Sequence, residues 1–180
     1  ENNEFLCTNQ FKVEGINQNI IPDIVCFVNG LPLAVIECKS PYVADAVAEG
    51  INQLRRYANL RSPEDDEGAQ KLFWYNQLMV STCRDQAKVG TISSSAQHYG
   101  DWKDAYPFAD ADIQAMVQQP DFISTGSTAS SHNTGDVPSP EYLVSAKQIA
   151  SGVGADSSEV TPQQRLLAGM FNPASFLDLM

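Results

Sequence analysis

The chain has 180 residues, 43% of them apolar, enough for one globular core with an appended helical piece. Twenty-two acidic against eleven basic residues leave a net charge of −11, the wrong sign for a protein that grips nucleic acid unaided, since nonspecific affinity comes largely from neutralising phosphates. No run of eighteen apolar residues, signal peptide, Cys-x-x-Cys pair or Gly-x-x-x-x-Gly-Lys-Thr loop occurs, so a membrane span, export, a zinc site and ATP hydrolysis by a phosphate-binding loop are not expected.

The first strand is expected just after the start. Asp23 to Val28 and Leu31 to Cys38 are rich in Val, Ile, Phe and Leu, and Asn29-Gly30 between them is a hairpin signal. Three charges, Asp23, Glu37 and Lys39, sit in this apolar stretch, where an unpaired ion costs several kcal/mol. A bound cation accounts for them, and two carboxylates suit Mg²⁺, which completes its shell with water and phosphate. Lys39 is two residues past Glu37 and so projects from the same face of a strand. The plain alternative is a strand-end cap at Asp23 and an edge ion pair between Glu37 and Lys39. The catalytic reading is phosphodiester hydrolysis, and it carries a constraint on register. A strict two-residue turn pairs Val28 with Leu31 and Asp23 with Ile36, leaving Asp23 and Glu37 on opposite faces. A three-residue loop, Val28 to Gly30, pairs Phe27 with Leu31 and Asp23 with Val35, on the face of Glu37. A shared metal therefore requires the odd-length loop or an equivalent bulge.

After Ser40-Pro41 a helix is expected over about 43–59, with Val47, Ile51, Leu54 and Ala58 as its apolar stripe. Gln53 and Tyr57, four apart, are neighbours on one flank of it. Arg55-Arg56 is the basic doublet, read equally as a solvated face or a DNA contact, and Glu64 to Glu67 is an acidic loop. Strands are expected over 78–82 and 88–93 across a turn at 84–86. Trp74 and Trp102 are expected to pack at the core or domain edge, and His98 and His132 to lie on the surface. Cys7, Cys26, Cys38 and Cys83 read as reduced thiols in a cytoplasmic protein. Residues 124–140, rich in Ser, Thr, Gly and Pro, divide a domain at 1–123 from a helical connector at 141–180. Thr161-Pro162 and Asn172-Pro173 are N-cap plus N1-proline starts of short helices there.

Asp23, Glu37-Cys38-Lys39 and Gln53-Leu54-Arg55-Arg56-Tyr57 together resemble the PD-(D/E)xK nuclease superfamily in the branch with a Gln-x-x-x-Tyr motif. More narrowly, the chain resembles the N-terminal endonuclease domain of the type I restriction enzyme motor (R) subunit. The phrases that carry this are Asn9-Gln10-Phe11, Pro22-Asp23-Ile24-Val25, Phe27-Val28-Asn29-Gly30-Leu31-Pro32-Leu33 and Glu37-Cys38-Lys39-Ser40-Pro41, continued by Leu72-Phe73-Trp74-Tyr75-Asn76-Gln77, Val89-Gly90-Thr91 and Trp102-Lys103. Residues 5–105 are covered well and 166–180 more loosely. The resemblance implies an α/β fold, a mixed central sheet of four to five strands flanked by helices, with a short C-terminal helical extension. It implies Asp23, Glu37 and the Cys38 carbonyl around one or two Mg²⁺ ions, with Mn²⁺ able to substitute. Lys39 would orient the attacking water or stabilise phosphate charge, and Gln53 and Tyr57 would support the site from the helix. Partners would be double-stranded DNA and the methyltransferase and specificity subunits, with ATP used only by a motor domain beyond Met180. Two departures matter: Ile21 stands where a basic residue is common, and the upstream acid of related nucleases has only Glu4 and Glu14 as candidates. A repair exonuclease and a catalytically inactive scaffold are the alternative functions.

Overall fold

The computed structural model describes residues 3–61, 66–118 and 159–178. The linker expected at 124–140, His132 and much of the acidic loop lie outside them. Six strands form one sheet in sequence order: β1 (Phe5–Asn9), β2 (Ile24–Val28), β3 (Leu31–Cys38), β4 (Leu78–Cys83), β5 (Gln86–Gly90) and β6 (Gly100–Asp101). Only β3 and β4 run parallel; the other neighbours are antiparallel. That parallel pair needs a crossover, and α1 (Ala46–Tyr57) supplies it. The expected α/β architecture with a mixed sheet is the one observed. The two-residue β6 is the strand that alternation could not reveal.

Each face of the sheet has its own core. Val25, Val35 and Met79 meet Val47, Ile51, Leu54 and Tyr57 of α1 on one face. On the other, Ile24, Cys26, Ala34, Ile36 and Val80 meet Leu166, Leu167 and Met170 of α3 (Pro162–Met170) and Phe176 of α4 (Pro173–Asp178). The described part of the segment expected as a connector, residues 159–178, thus packs on the back of the sheet. Its starts follow the sequence signals: Thr161 Oγ1 accepts from Gln164 N at 3.2 Å while Gln164 Oε1 accepts from Thr161 N at 2.9 Å, a reciprocal capping box. Asn172 Oδ1 accepts from Ala174 N. A further helix, α2 (Asp110–Gln118), adjoins α3, where Arg165 pairs bidentately with Asp110. Among the described residues no helix is long and apolar enough to cross a membrane.

Three local expectations are corrected. The helix over 43–59 is shorter, because residues 40–45 form turns, Asp45 takes a left-handed φ of 52°, and Asn59 at φ 56° closes the far end. Trp74, expected to pack, is 64% exposed; it follows a short 3₁₀ turn, Gln70–Phe73, whose Leu72 and Phe73 are the buried members. The three-residue hairpin loop is not formed. Asn29 (φ 51°) and Gly30 (φ 80°) make a two-residue turn and Val28 pairs with Leu31. The register then shifts between Phe27, paired with Pro32, and Cys26, paired with Ala34, leaving Leu33 as the extra residue. A proline, which cannot donate to the ladder, sits at the bulge, where its missing N–H is tolerated. From there Val25 pairs with Val35 and Ile24 with Ile36, so Asp23, one residue earlier, comes level with Glu37. The bulge does what the longer loop was expected to do.

Candidate active site

The site forms at the carboxyl end of β3, beside its parallel partner β4. Glu37 is 2% exposed, on the α1 face of the sheet. Its Oε1 accepts from Lys39 Nζ at 3.1 Å and from Gln53 Nε2. Lys39 Nζ also donates to Gln53 Oε1 at 2.5 Å, and Gln53 Nε2 donates to Tyr57 Oη at 2.6 Å. The four side chains therefore form one connected network, two from β3 and its end and two from successive turns of α1. Tyr57 Oη reaches the Ile21 carbonyl at 3.5 Å, closing the network onto the segment that carries Asp23.

Backbone contacts hold these groups in place. Asp23 Oδ2 accepts from Cys38 N at 2.8 Å, fastening the start of β2 to the end of β3. Lys39 N donates to Thr82 O at 2.8 Å, continuing the parallel ladder past the last paired residue. α1 lies close enough for its lysine contacts because Gly50 faces Ser81: a Cβ on Gly50 would stand 2.2 Å from Ser81 Oγ and 3.5 Å from Lys39 Cγ. Ser81 Oγ in turn donates to Val47 O at 2.8 Å, fixing helix to strand.

Sequence reasoning missed one supporting residue. Gln10, with φ 50° just past β1, donates through Nε2 to Asp23 Oδ1 at 2.9 Å, and its backbone N donates to Asp23 O. The signal available was the phrase Asn9-Gln10-Phe11, to which no role was attached. Glu4 is disqualified as an upstream acid, because it pairs with Asn29 at the hairpin turn, the far end of β2 from Asp23. Glu14 is exposed and outside the network. Among the described residues no three His, Cys, Asp or Glu side chains converge, so the acids of this site are the pair Asp23 and Glu37.

Electrostatics mark Glu37 as the perturbed member. Burial, then the nearby Asp23 charge, raise its pKa from 4.5 to about 7, against the lowering influence of Lys39. Tyr57 is raised as well, by burial and by the Glu37 charge. Glu37 Oε2 is buried with no hydrogen-bond partner. A buried acceptor left unmet costs about 1–3 kcal/mol, more when charged. The two carboxylates on one face, one with an orphaned oxygen, are an oxygen donor set that fits a hard divalent cation such as Mg²⁺. The Cys38 thiol points into the apolar cluster on the other face, its pKa pushed up to about 12 by burial and the adjacent acids. Its side chain is therefore not a ligand, and only its backbone carbonyl could serve.

The two arginines separate. Arg55 turns inward, donating from Nη1 to Ser94 O at 2.8 Å and from Nη2 to Leu60 O at 2.9 Å. Both terminal nitrogens of its guanidinium thus donate to loop carbonyls. Arg56 lies over the Tyr57 ring, 5.1 Å from its centroid, beside the network.

Fold and site together define an α/β domain with a carboxylate pair, a lysine and a helix-borne glutamine and tyrosine at the end of its parallel strand pair. The chain belongs to the family described as Type I restriction enzyme R protein N terminus, which matches residues 1–98 and so spans every member of the network. It is 36% identical over 104 residues to the "Type I restriction enzyme HindI endonuclease subunit" of Haemophilus influenzae, covering 57% of this chain and 9% of that protein. It is also 36% identical over 88 residues to the "Putative type I restriction enzyme MjaVIIP endonuclease subunit" of Methanocaldococcus jannaschii, covering 49% of this chain and 7% of the relative. The matched stretches thus span under a tenth of the length of these relatives.

Proposed function

We propose that this chain is the DNA-cutting module of a type I restriction enzyme, a Mg²⁺-dependent endonuclease acting on phosphodiester bonds of double-stranded DNA. The observation that supports it most is the buried, orphaned Glu37 Oε2, on a carboxylate whose other oxygen accepts from Lys39 and Gln53. Asp23, Glu37 and the Cys38 carbonyl would hold the metal. When bound, Mg²⁺, or Mn²⁺ in its place, neutralises phosphate charge and makes water a competent nucleophile near neutral pH.

The chain's own residues do the rest. Asp23 is preoriented by Gln10 and the Cys38 N–H, one on each carboxylate oxygen, and each oxygen keeps acceptor capacity for a metal. Lys39 now holds Glu37 Oε1 and Gln53 Oε1. With Glu37 engaged elsewhere, its ammonium is free to donate to a scissile phosphate and stabilise the charge that develops there. Gln53 can turn an amide donor or acceptor toward water or phosphate, with Tyr57 holding its other side. Of the arginine doublet, Arg56, which lies over the Tyr57 ring beside the network, is the one we assign to a DNA backbone contact.

The acidic balance fits delivery by other parts. Residues 1–104 hold nine Lys and Arg against fourteen Asp and Glu, so intrinsic DNA affinity should be weak. In this reading, translocase domains that hydrolyse ATP and the methyltransferase and specificity subunits bring DNA to the site in the cytoplasm. The test is the assembled enzyme acting on covalently closed plasmid across a Mg²⁺ titration. Metal-dependent linear product, lost in Glu37→Gln, is expected. A requirement for free DNA ends would indicate an exonuclease instead, and absence of any Mg²⁺ or Mn²⁺ binding would indicate an inactive scaffold.

A further inference from the structure

The cysteines, read from the sequence as reduced thiols, include one pair that the fold brings together. Cys7 on edge strand β1 lies directly opposite Cys26 on β2, with their sulfurs 3.1 Å apart. The ladder type at this rung follows from its neighbours. Gln10 N donates to Asp23 O and Asn29 N donates to Glu4 O, so the 10/23 and 4/29 pairs are hydrogen-bonded rungs. Cys7/Cys26 is three residues from each, and alternation makes it a non-hydrogen-bonded rung. Those are the rungs with the closest side chains, their Cα atoms about 4.5 Å apart, inside the range of about 4.4–6.8 Å that a disulfide spans. A rung of this type, with the sulfurs already 3.1 Å apart, is within reach of a disulfide.

We infer that Cys7 and Cys26 are an oxidisable dithiol that reacts with small organic disulfides and closes to a cross-strand bond. The two sulfurs differ in the way such chemistry requires. Cys7 is partly exposed on the strand that ends the sheet among the described residues, whereas Cys26 on the next strand is 5% exposed. Their mutual hydrogen bond also holds the Cys7 thiol below its ordinary value and the Cys26 thiol above. Cys7, as thiolate, attacks one sulfur of R–S–S–R, forming a Cys7–S–S–R mixed disulfide and releasing R–S⁻. Cys26 then loses its proton to solvent or to the released thiolate and attacks Cys7 Sγ, expelling the second R–S⁻. Two protein thiols are oxidised and one small disulfide is reduced to two thiols. Cys38 and Cys83 lie on opposite faces of the sheet and offer no equivalent pair.

The bond would clamp β1 to β2 three residues from both Gln10 and Asp23. It therefore fixes the strand pair that carries one acid of the site and its supporting amide. The test is incubation of the native protein with oxidised glutathione, followed by thiol counting, intact mass and peptide mapping. Loss of two of the four thiols, a mass lower by two hydrogens and a peptide joining Cys7 to Cys26 are expected. Cys26→Ser should stop at one glutathione adduct on Cys7, and Cys7→Ser should show neither product. Retention of all four thiols by the wild type, or a bond mapped to any other pair, would overturn the inference.

Discussion

Glu37→Gln should make the metal-free protein more stable at pH 8 and change it little at pH 5. Glu37 is buried with one oxygen unmet, and its pKa lies at about 7 in the fold against 4.5 in the unfolded chain. A group whose folded-state pKa is raised binds its proton more tightly in the native state, so ionising it works against folding. That cost is absent well below pH 4.5, grows as pH climbs through 7, and is complete above it. At about 1.36 kcal/mol per pKa unit, it amounts to about 3 kcal/mol at pH 8 and under about 1 kcal/mol at pH 5. Glutamine keeps the shape and removes the charge, so the variant gains that difference. Urea denaturation of both proteins in a chelator, at the two pH values, measures it directly. Mg²⁺ should then narrow the gap at pH 8 by stabilising the wild type alone. A variant no more stable than wild type at pH 8, or one gaining equally at both pH values, would refute the claim that Lys39 and Gln53 leave this buried carboxylate incompletely compensated.

Gly50→Ala places a methyl 2.2 Å from Ser81 Oγ, and overpacking of this kind costs about 1–3 kcal/mol, more than the roughly 1 kcal/mol that alanine returns in helix propensity. Gly50→Ala should lower the denaturation midpoint, and adding Ser81→Ala should restore most of it. Arg55→Ala should destabilise by about 2 kcal/mol, because it strips charged donors from two carbonyls. The DNA affinity of the folded Arg55→Ala enzyme should be unchanged in filter binding. Arg56→Ala should show the reverse pattern, with stability within about 0.5 kcal/mol and a salt slope of DNA binding smaller by about one.

Much of this arrangement was legible in the sequence because its chemistry conflicts with its surroundings. Asp23, Glu37 and Lys39 stand out within an apolar stretch, and the four-residue spacing of Gln53 and Tyr57 put both on the helix flank that meets Glu37. Residue parity alone showed that Asp23 and Glu37 could share a face only if one residue were left out of the pairing. The position of that residue was not legible. A loop and a bulge satisfy the same parity, and the choice rests on Asn29-Gly30 favouring a tight turn while Pro32 excuses a broken rung. Gln10 escaped notice because its role depends on a left-handed turn after β1, which glutamine does not advertise. Arg55 and Arg56 are neighbours in sequence yet point to different surroundings on the helix, and no local pattern tells which one the loop carbonyls of Leu60 and Ser94 will claim. Packing of α3 and α4 on the back of the sheet is likewise a long-range outcome: their caps could be read, their docking surface could not.

The most direct test of the proposed activity is Lys39→Ala in the assembled enzyme, with DNA cleavage and ATP hydrolysis followed in the same reaction. Lys39 is held at the site by Glu37 and Gln53, and removing a preorganised electrostatic stabiliser lowers rate by about 10²–10³-fold. Cleavage should fall by that factor while ATP turnover continues at the wild-type rate. Undiminished cleavage by Lys39→Ala would contradict the account, leaving the ion pair with Glu37 as a structural contact and the nuclease centre elsewhere.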